Sequence, residues 1–190
     1  MAEQEGKIVY FDKPGLENTD KVFAIAKARA KALGIKTIIV ASTRGDSAAR
    51  AVELLDGFRV VIVSHAAGMR EPNTQAFTDE NRKKVEAKGG IIVTMSHAFR
   101  GGASAALRKK FNLRNDADIM ADTLRILGAG MKVVVEIAMM AADAGVVRTD
   151  EPVIAIGGTG RGADTAVVLK PVNSQDLFDM KVNEILCKPY

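Results

Sequence analysis

The chain has 190 residues, 47% of them hydrophobic and 26% charged, which excludes a disordered or fibrous protein and fits one globular domain over residues 1–190. The net charge of +4 is mild and spread along the chain; with 5% aromatic residues and no recognisable motif, it argues against nucleic acid and slightly favours small anions. A single cysteine, Cys187, excludes an intrachain disulfide and zinc-type spacing, charges interrupt every apolar run that would make a membrane span, and the start from Met1 to Gly6 is polar with no apolar signal core, so a reducing cytoplasm is the expected location.

Lys7 to Phe11 reads as a strand, ended by Pro14-Gly15. Thr19 is the expected cap of a helix reaching Leu33, with Val22, Ile25, Ala26 and Leu33 on its apolar face and Gly34 as its stop. Thr37 to Ala41 is a continuous β-branched run, as in a strand buried on both faces. A second helix starts near Asp46 or Ser47, with Ala48, Val52 and Leu55 on one face and Gly57 closing it. Val60 to Val63 is the next buried strand, followed by a long polar loop from Ala66 to Phe77. Thr78 caps a helix from Asp79 to Lys88, and Ile91 to Met95 is another strand.

After Gly101-Gly102 comes a helical stretch around Ala105 to Lys110; Asn115 then caps a helix whose Asp116 and Asp118 meet the positive end of its dipole. The basic clusters Arg82-Lys83-Lys84 and Arg108-Lys109-Lys110 read as solvated helix faces. Met131 to Ala142 is apolar nearly all round, with Lys132, Glu136 and Asp143 on one stripe. That stripe is either a solvent-facing edge with Lys132 and Glu136 paired, or a place where Glu136 meets a ligand pocket or a second subunit. Strands at Val153 to Ile156 and Ala166 to Lys170 follow, and Lys181 to Cys187 is one more. Strands alternating with helices predict an α/β fold with a largely parallel sheet.

Two glycine-bearing loops follow buried strands. The first is Ser42-Thr43-Arg44-Gly45-Asp46-Ser47, and the second runs from Gly157 to Thr165. Free backbone N–H groups, hydroxyls and an arginine at the end of a parallel strand suit a phosphate. The expected anion-binding residues are Ser42, Thr43, Arg44, Gly45, Ser47, Gly158, Thr159, Gly160, Arg161, Gly162, Asp164 and Thr165. His65 and His97 are the only histidines; each stands in a Ser-His-Ala step after a buried strand, which makes them the candidates for acid–base work. No metal-ligand spacing is recognisable; a metal would have to draw on His65, His97 and Glu136.

The two loops carry a resemblance. Met131 to Val172 resembles the end of the C-terminal domain of pyruvate kinase, in which a long helix leads to an apolar strand, a glycine-rich loop and an antiparallel edge strand. The first loop is similar to that domain's effector loop, although Arg44 stands where a hydroxyl residue is usual. Leu124-Arg125, Gly130-Met131-Lys132-Val133, Met140 to Gly145 and Gly162-Ala163-Asp164-Thr165 resemble a family of stand-alone archaeal and bacterial proteins that carry this fold without a kinase barrel. The resemblance implies a three-layer α/β/α domain with strand order 3-2-1-4-5, an antiparallel edge strand and extra terminal strands. It implies no kinase activity. It places both loops at the switch between strands 1 and 4, where open α/β sheets bind ligands. The expected partner is a phosphorylated small molecule, either a sugar phosphate or a mononucleotide. FMN is a possible cofactor, with one phosphate for the loops and a flat ring for apolar walls. Subunit contacts in the kinase imply a homo-oligomer, for which the apolar helix Met131 to Ala142 is the candidate surface.

Overall fold

Seven strands form one sheet in the order β1-β7-β6-β5-β2-β3-β4 in the computed structural model, which describes residues 3 and 5–190. Met1, Ala2 and Gln4 of the polar start lie outside the described residues. The strands are β1 (Val9–Phe11), β2 (Thr37–Ala41), β3 (Arg59–His65), β4 (Ile91–Met95), β5 (Val153–Gly157), β6 (Thr165–Lys170) and β7 (Lys181–Pro189). The helices are α1 (Thr19–Leu33), α2 (Asp46–Leu54), α3 (Asp79–Ala87), α4 (Gly102–Phe111), α5 (Asp116–Arg125) and α6 (Ala129–Asp143). Every neighbouring pair is parallel except the two that involve β6. The five strands from β2 to β6 stand in the expected 3-2-1-4-5 order. The antiparallel strand β6 is not an edge, however: β7 pairs along its far side and β1 pairs with β7.

Alternate residues along each central strand supply two different cores, because successive side chains point to opposite faces. Ile38, Val40, Val60, Ile62, Ile154 and Ile156 pack with α1, α2 and α3. Ile39, Val61, Val63, Val153 and Ala155 pack with α6. The unbroken apolar runs in the sequence are therefore two interleaved sets, one for each helical layer.

The helix α6 is buried on all sides within its own chain. Met131, Val134, Ile137, Ala138 and Ala141 face the sheet. Val135 and Met139 pack instead under Phe99, Ala121 and Leu124, so α5 and the segment after β4 roof the outer side. A fully buried side chain of this size is worth about 1.5–3 kcal/mol, and the monomer already gains it here. The apolar character of α6 thus needs no second subunit to explain it.

Local chemistry sets most element ends as expected. The Thr78 side chain accepts from the Asn81 N–H at the start of α3, and Asn115 forms a reciprocal capping box with Asp118. Thr19 departs from expectation. Asn18 occupies the cap position of α1, and the Thr19 hydroxyl donates to the Leu16 carbonyl (2.7 Å) and accepts from the Ala163 N–H (3.0 Å). It ties α1 to the second glycine loop instead of capping a helix. Arg108 departs too: its guanidinium lies 2.6 Å from Asp118, which is fully buried and also meets Arg100 at 3.0 Å.

Candidate functional site

Both glycine loops open at the carboxyl ends of β2 and β5, which are neighbours in the sheet. In the first loop, Ser42 at the end of β2 is buried and its Oγ accepts from the Ala48 N–H across the turn (3.2 Å). The Ala49 N–H is taken by the Gly45 carbonyl. This leaves the Asp46 and Ser47 amides at the open end of α2, where the helix dipole favours an anion. Gly45 sits at φ +98°, and a Cβ there would lie 2.5 Å from Asn81 Cβ and 2.8 Å from the Phe77 ring. Only glycine lets the loop lie this close to the start of α3. The Arg44 carbonyl is held from the same side, by the Thr78 N–H and the Asn81 side chain.

The second loop is the turn of the β5–β6 hairpin, and it is stapled from inside. The fully buried carboxylate of Asp164 accepts from the Thr159 N–H (2.9 Å) and the Thr165 hydroxyl (2.8 Å). Gly162, at φ +76°, lets the loop dock on α1's approach: a Cβ there would lie 2.5 Å from Leu16 Cα and 2.6 Å from the Thr19 hydroxyl.

A cavity of about 650 Å³ lies between the two loops and the cavity-facing side of α6. That size suits a small-molecule site. Ser42, Thr43, Arg44, Ser47, Gly158, Gly160, Arg161 and Gly162 line it, as do both histidines. Gly45, Thr159, Asp164 and Thr165 do not line it; they shape the loops. Arg70, Lys132 and Glu136 are also part of the lining. Arg70 went unnoticed in sequence because it lies in the aperiodic loop after β3; a basic residue just beyond the end of a central strand was the available signal. Among the described residues, four arginines make no ion pair, and three of them, Arg44, Arg70 and Arg161, line this cavity; the fourth is Arg59.

The opposite wall is a chain of paired charges. Lys132 and Glu136, one turn apart on α6, are an ion pair, and Glu136 is 1% exposed. The stripe on α6 is therefore a buried pair facing the cavity and not a solvent edge. Asp143, further along, is exposed and accepts from the Ser174 N–H and the Asn173 side chain. One Glu136 oxygen also meets His97 Nδ1 at 2.9 Å, and the other accepts from the Phe99 N–H at 3.1 Å. Burial pushes the Glu136 carboxyl up, but the His97 hydrogen bond and the Lys132 charge outweigh it and hold the carboxyl at about 2. Burial also pulls the Lys132 ammonium below its usual value, against the opposing pull of Glu136.

An ionised carboxylate only accepts, so His97 Nδ1 carries the proton and its Nε2 is the free nitrogen. The same logic applies to His65, whose Nδ1 lies 2.9 Å from the Ala66 carbonyl. The parallel β3–β4 pairing sets His65 opposite Met95, two residues before His97, and the two rings stand 6.5 Å apart. The repeated Ser-His-Ala step is thus two imidazoles at adjacent strand ends. Among the described residues no group of three His, Cys, Asp or Glu side chains is arranged to hold a metal ion, and no helix is long and apolar enough to cross a membrane.

A crystal structure of Cryptosporidium parvum pyruvate kinase aligns with 80% of this chain and 22% of its own length, at 8% identity and a TM-score of 0.37. A second structure of that kinase, in complex with ADP, aligns with 87% of this chain and 23% of its own, at 11% identity and a TM-score of 0.35. The chain spans less than a quarter of the length of these kinases. The family model of the pyruvate kinase alpha/beta domain matches residues 20–169, from the start of α1 to the end of β6, and leaves β1 and β7 outside. The chain belongs to the pyruvate kinase alpha/beta domain family.

Proposed function

We propose that this protein binds a phosphorylated small molecule, a sugar phosphate or a mononucleotide, in the cavity between the β2 and β5 loops. The observation that supports it is the concentration of unpaired arginines there. Among the described residues the other arginines are almost all neutralised, whereas Arg44, Arg70 and Arg161 line the same cavity as Asp46 and Ser47 at the open N-terminus of α2. Guanidinium groups without a carboxylate suit a phosphate, which they grip in a bidentate fashion. Four cationic side chains line the cavity against two carboxylates. Ala41, Val63, Val133, Ile137 and Met140 add apolar wall for the rest of the ligand. The flat ring of a mononucleotide, FMN included, suits such a wall. A reducing cytoplasm suits Cys187, which is free and buried.

A thermal-shift panel of inorganic phosphate, sugar phosphates, AMP and FMN tests the reading, run beside Arg161→Ala. Arg161 is exposed and makes no ion pair among the described residues, so its loss leaves the melting temperature of the free protein unchanged. A charge-assisted bond contributes about 1.5–3 kcal/mol, so affinity falls roughly 10- to 150-fold. No shift of the wild-type protein with any phosphate sinks the proposal and moves a ligand-free role in homo-oligomeric contacts to the front.

A further inference from the structure

An anion grip accounts for the loop side of the cavity but not for the α6 side. We propose that the site moves a proton at the carbon beside a carbonyl group, acting on a phosphorylated hydroxy-aldehyde or hydroxy-ketone, with His97 as the base and Lys132 as the charge that steadies the enolate oxygen. This rests on the phosphate-binding reading above.

His97 is held at its Nδ1 end. Its Nδ1–H is fixed by the buried carboxylate of Glu136, which is itself anchored by the Phe99 N–H and by Lys132. In the neutral ring that arrangement sets the tautomer and the orientation and puts the lone pair on Nε2, as a base requires. The side chain of His97 is 31% exposed and lines the cavity, so a ligand reaches it. Glu136 is a positioning residue and His97 the catalytic one.

The second requirement of such chemistry is a charge for the oxygen that becomes negative. Lys132 meets it: the residue lines the same cavity and is 6% exposed, and its Nζ stands 5.7 Å from the centre of the Phe99 ring. A cation in so dry a setting acts more strongly on a developing oxyanion than one in water. Glu136 takes one of its three N–H groups. Neither imidazole has a hydroxyl or thiol nucleophile to activate. Among the described residues no serine, threonine or cysteine side chain is hydrogen-bonded to either imidazole ring, and Cys187 is buried in the core.

The step balances without a co-reactant. His97 Nε2 takes the proton from the carbon next to the carbonyl. The C–H electron pair becomes the C=C bond, and the carbonyl π pair moves onto oxygen beside Lys132. Return of the proton to the same carbon restores the substrate. Its delivery to the neighbouring carbon gives the isomer once the hydroxyl proton has passed to the oxyanion, so that the former carbonyl becomes a hydroxyl and the former hydroxyl a carbonyl. In either case His97 is neutral again. His65, 6.5 Å from His97 ring to ring, is the second group able to carry that proton.

Dihydroxyacetone phosphate in D2O tests the proposal. Proton NMR follows loss of its C–H signal against a protein-free blank, and phosphorus NMR line broadening reports binding. The wild-type protein is expected to exchange deuterium into the substrate faster than the blank. His97→Ala loses about 100-fold or more of that rate and regains part of it with added free imidazole. Lys132→Met loses it without rescue. Glu136→Gln lowers the rate constant and leaves the half-saturating concentration unchanged. His97→Gln, which keeps most of the side-chain volume, stands in if the alanine variant does not melt cooperatively. Binding without exchange above the blank overturns the proposal and leaves the phosphate site intact. Absence of binding overturns the proposal, and the phosphate-binding reading falls with it only when the thermal-shift panel also shows no shift. Exchange by His97→Ala at the wild-type rate, without imidazole, also overturns it.

Discussion

The two walls of the cavity solve opposite problems. On the α6 wall every charge is already matched: Lys132 to Glu136, Glu136 to His97 and to the Phe99 amide. On the loop wall the charges are left unmatched, with Arg44, Arg70 and Arg161 outside any ion pair among the described residues. The difference follows burial. Glu136 and Lys132 are 1% and 6% exposed, and a lone charge at such a depth costs several kcal/mol, whereas a solvated arginine waits for an anion at little cost. The α6 wall is therefore part of what holds the fold together, and the loop wall is where a ligand finds uncommitted charge.

Removing a partner from the matched wall is the harshest way to break this contrast. Glu136→Ala leaves Lys132 buried without its counter-charge and is expected to cost about 3–5 kcal/mol in a denaturant titration. Lowering the pH removes the same charge gradually. The Glu136 carboxyl sits at about 2 in the folded chain, against an ordinary 4.5, so its contribution is complete above about 4.5 and fades as the pH falls towards 2. The shift corresponds to about 3 kcal/mol. Stability measured from pH 5 down to pH 2 should fall more steeply in the wild type than in Glu136→Gln. Equal slopes mean that the carboxyl is not held by its partners.

The loop wall has its own contrast, between a first loop shaped by backbone fit and a second shaped by an internal carboxylate. Gly45→Ala forces a side chain into a left-handed conformation and against Phe77 and Asn81, and is expected to lose about 2–4 kcal/mol. Asp164→Ala strips the Thr159 amide and the Thr165 hydroxyl of their acceptor, for a loss of about 2–3 kcal/mol. The anion affinity of Asp164→Ala should fall as well, because Gly158, Gly160 and Arg161 lose the turn that presents them. A drop in stability with unchanged affinity separates the staple from the site.

The particular residues explain what the sequence disclosed. The strands β2, β3 and β5 were legible because a strand covered on both faces has no polar position to interrupt it. Thr78 and Asn115 were legible because a helix cap is a local bond, made within three residues. The spacing of Lys132 and Glu136 revealed a pair on one face of α6, but periodicity names a face without naming its neighbours. Their burial depends on the β4 end, which brings His97 and Phe99 over the helix from more than thirty residues away. The place of β6 inside the sheet was hidden for a similar reason. A strand at Lys181 was readable, and its choice of partner was not. Asp164 and Thr165 read as ligand groups because a carboxylate and a hydroxyl in a glycine loop look the same whether they face outward or inward.

Thr19 sharpens the same point at the smallest scale. A threonine just before an apolar helical run is a good cap in isolation, yet here its hydroxyl is placed one residue inside α1 and accepts from Ala163, 144 positions along the chain. That bond is buried, and the amide it satisfies belongs to the second loop. Thr19→Val keeps the shape and removes the acceptor, leaving the Ala163 N–H without a partner in the interior. The expected loss is about 1–2 kcal/mol, the smallest in this series. A capping role instead predicts frayed amides in the first turn of α1 and an unchanged second loop. Hydrogen exchange distinguishes the two: if Thr19 is the tie between α1 and the loop, the Ala163 amide loses protection in Thr19→Val while Val22 and Phe23 keep theirs.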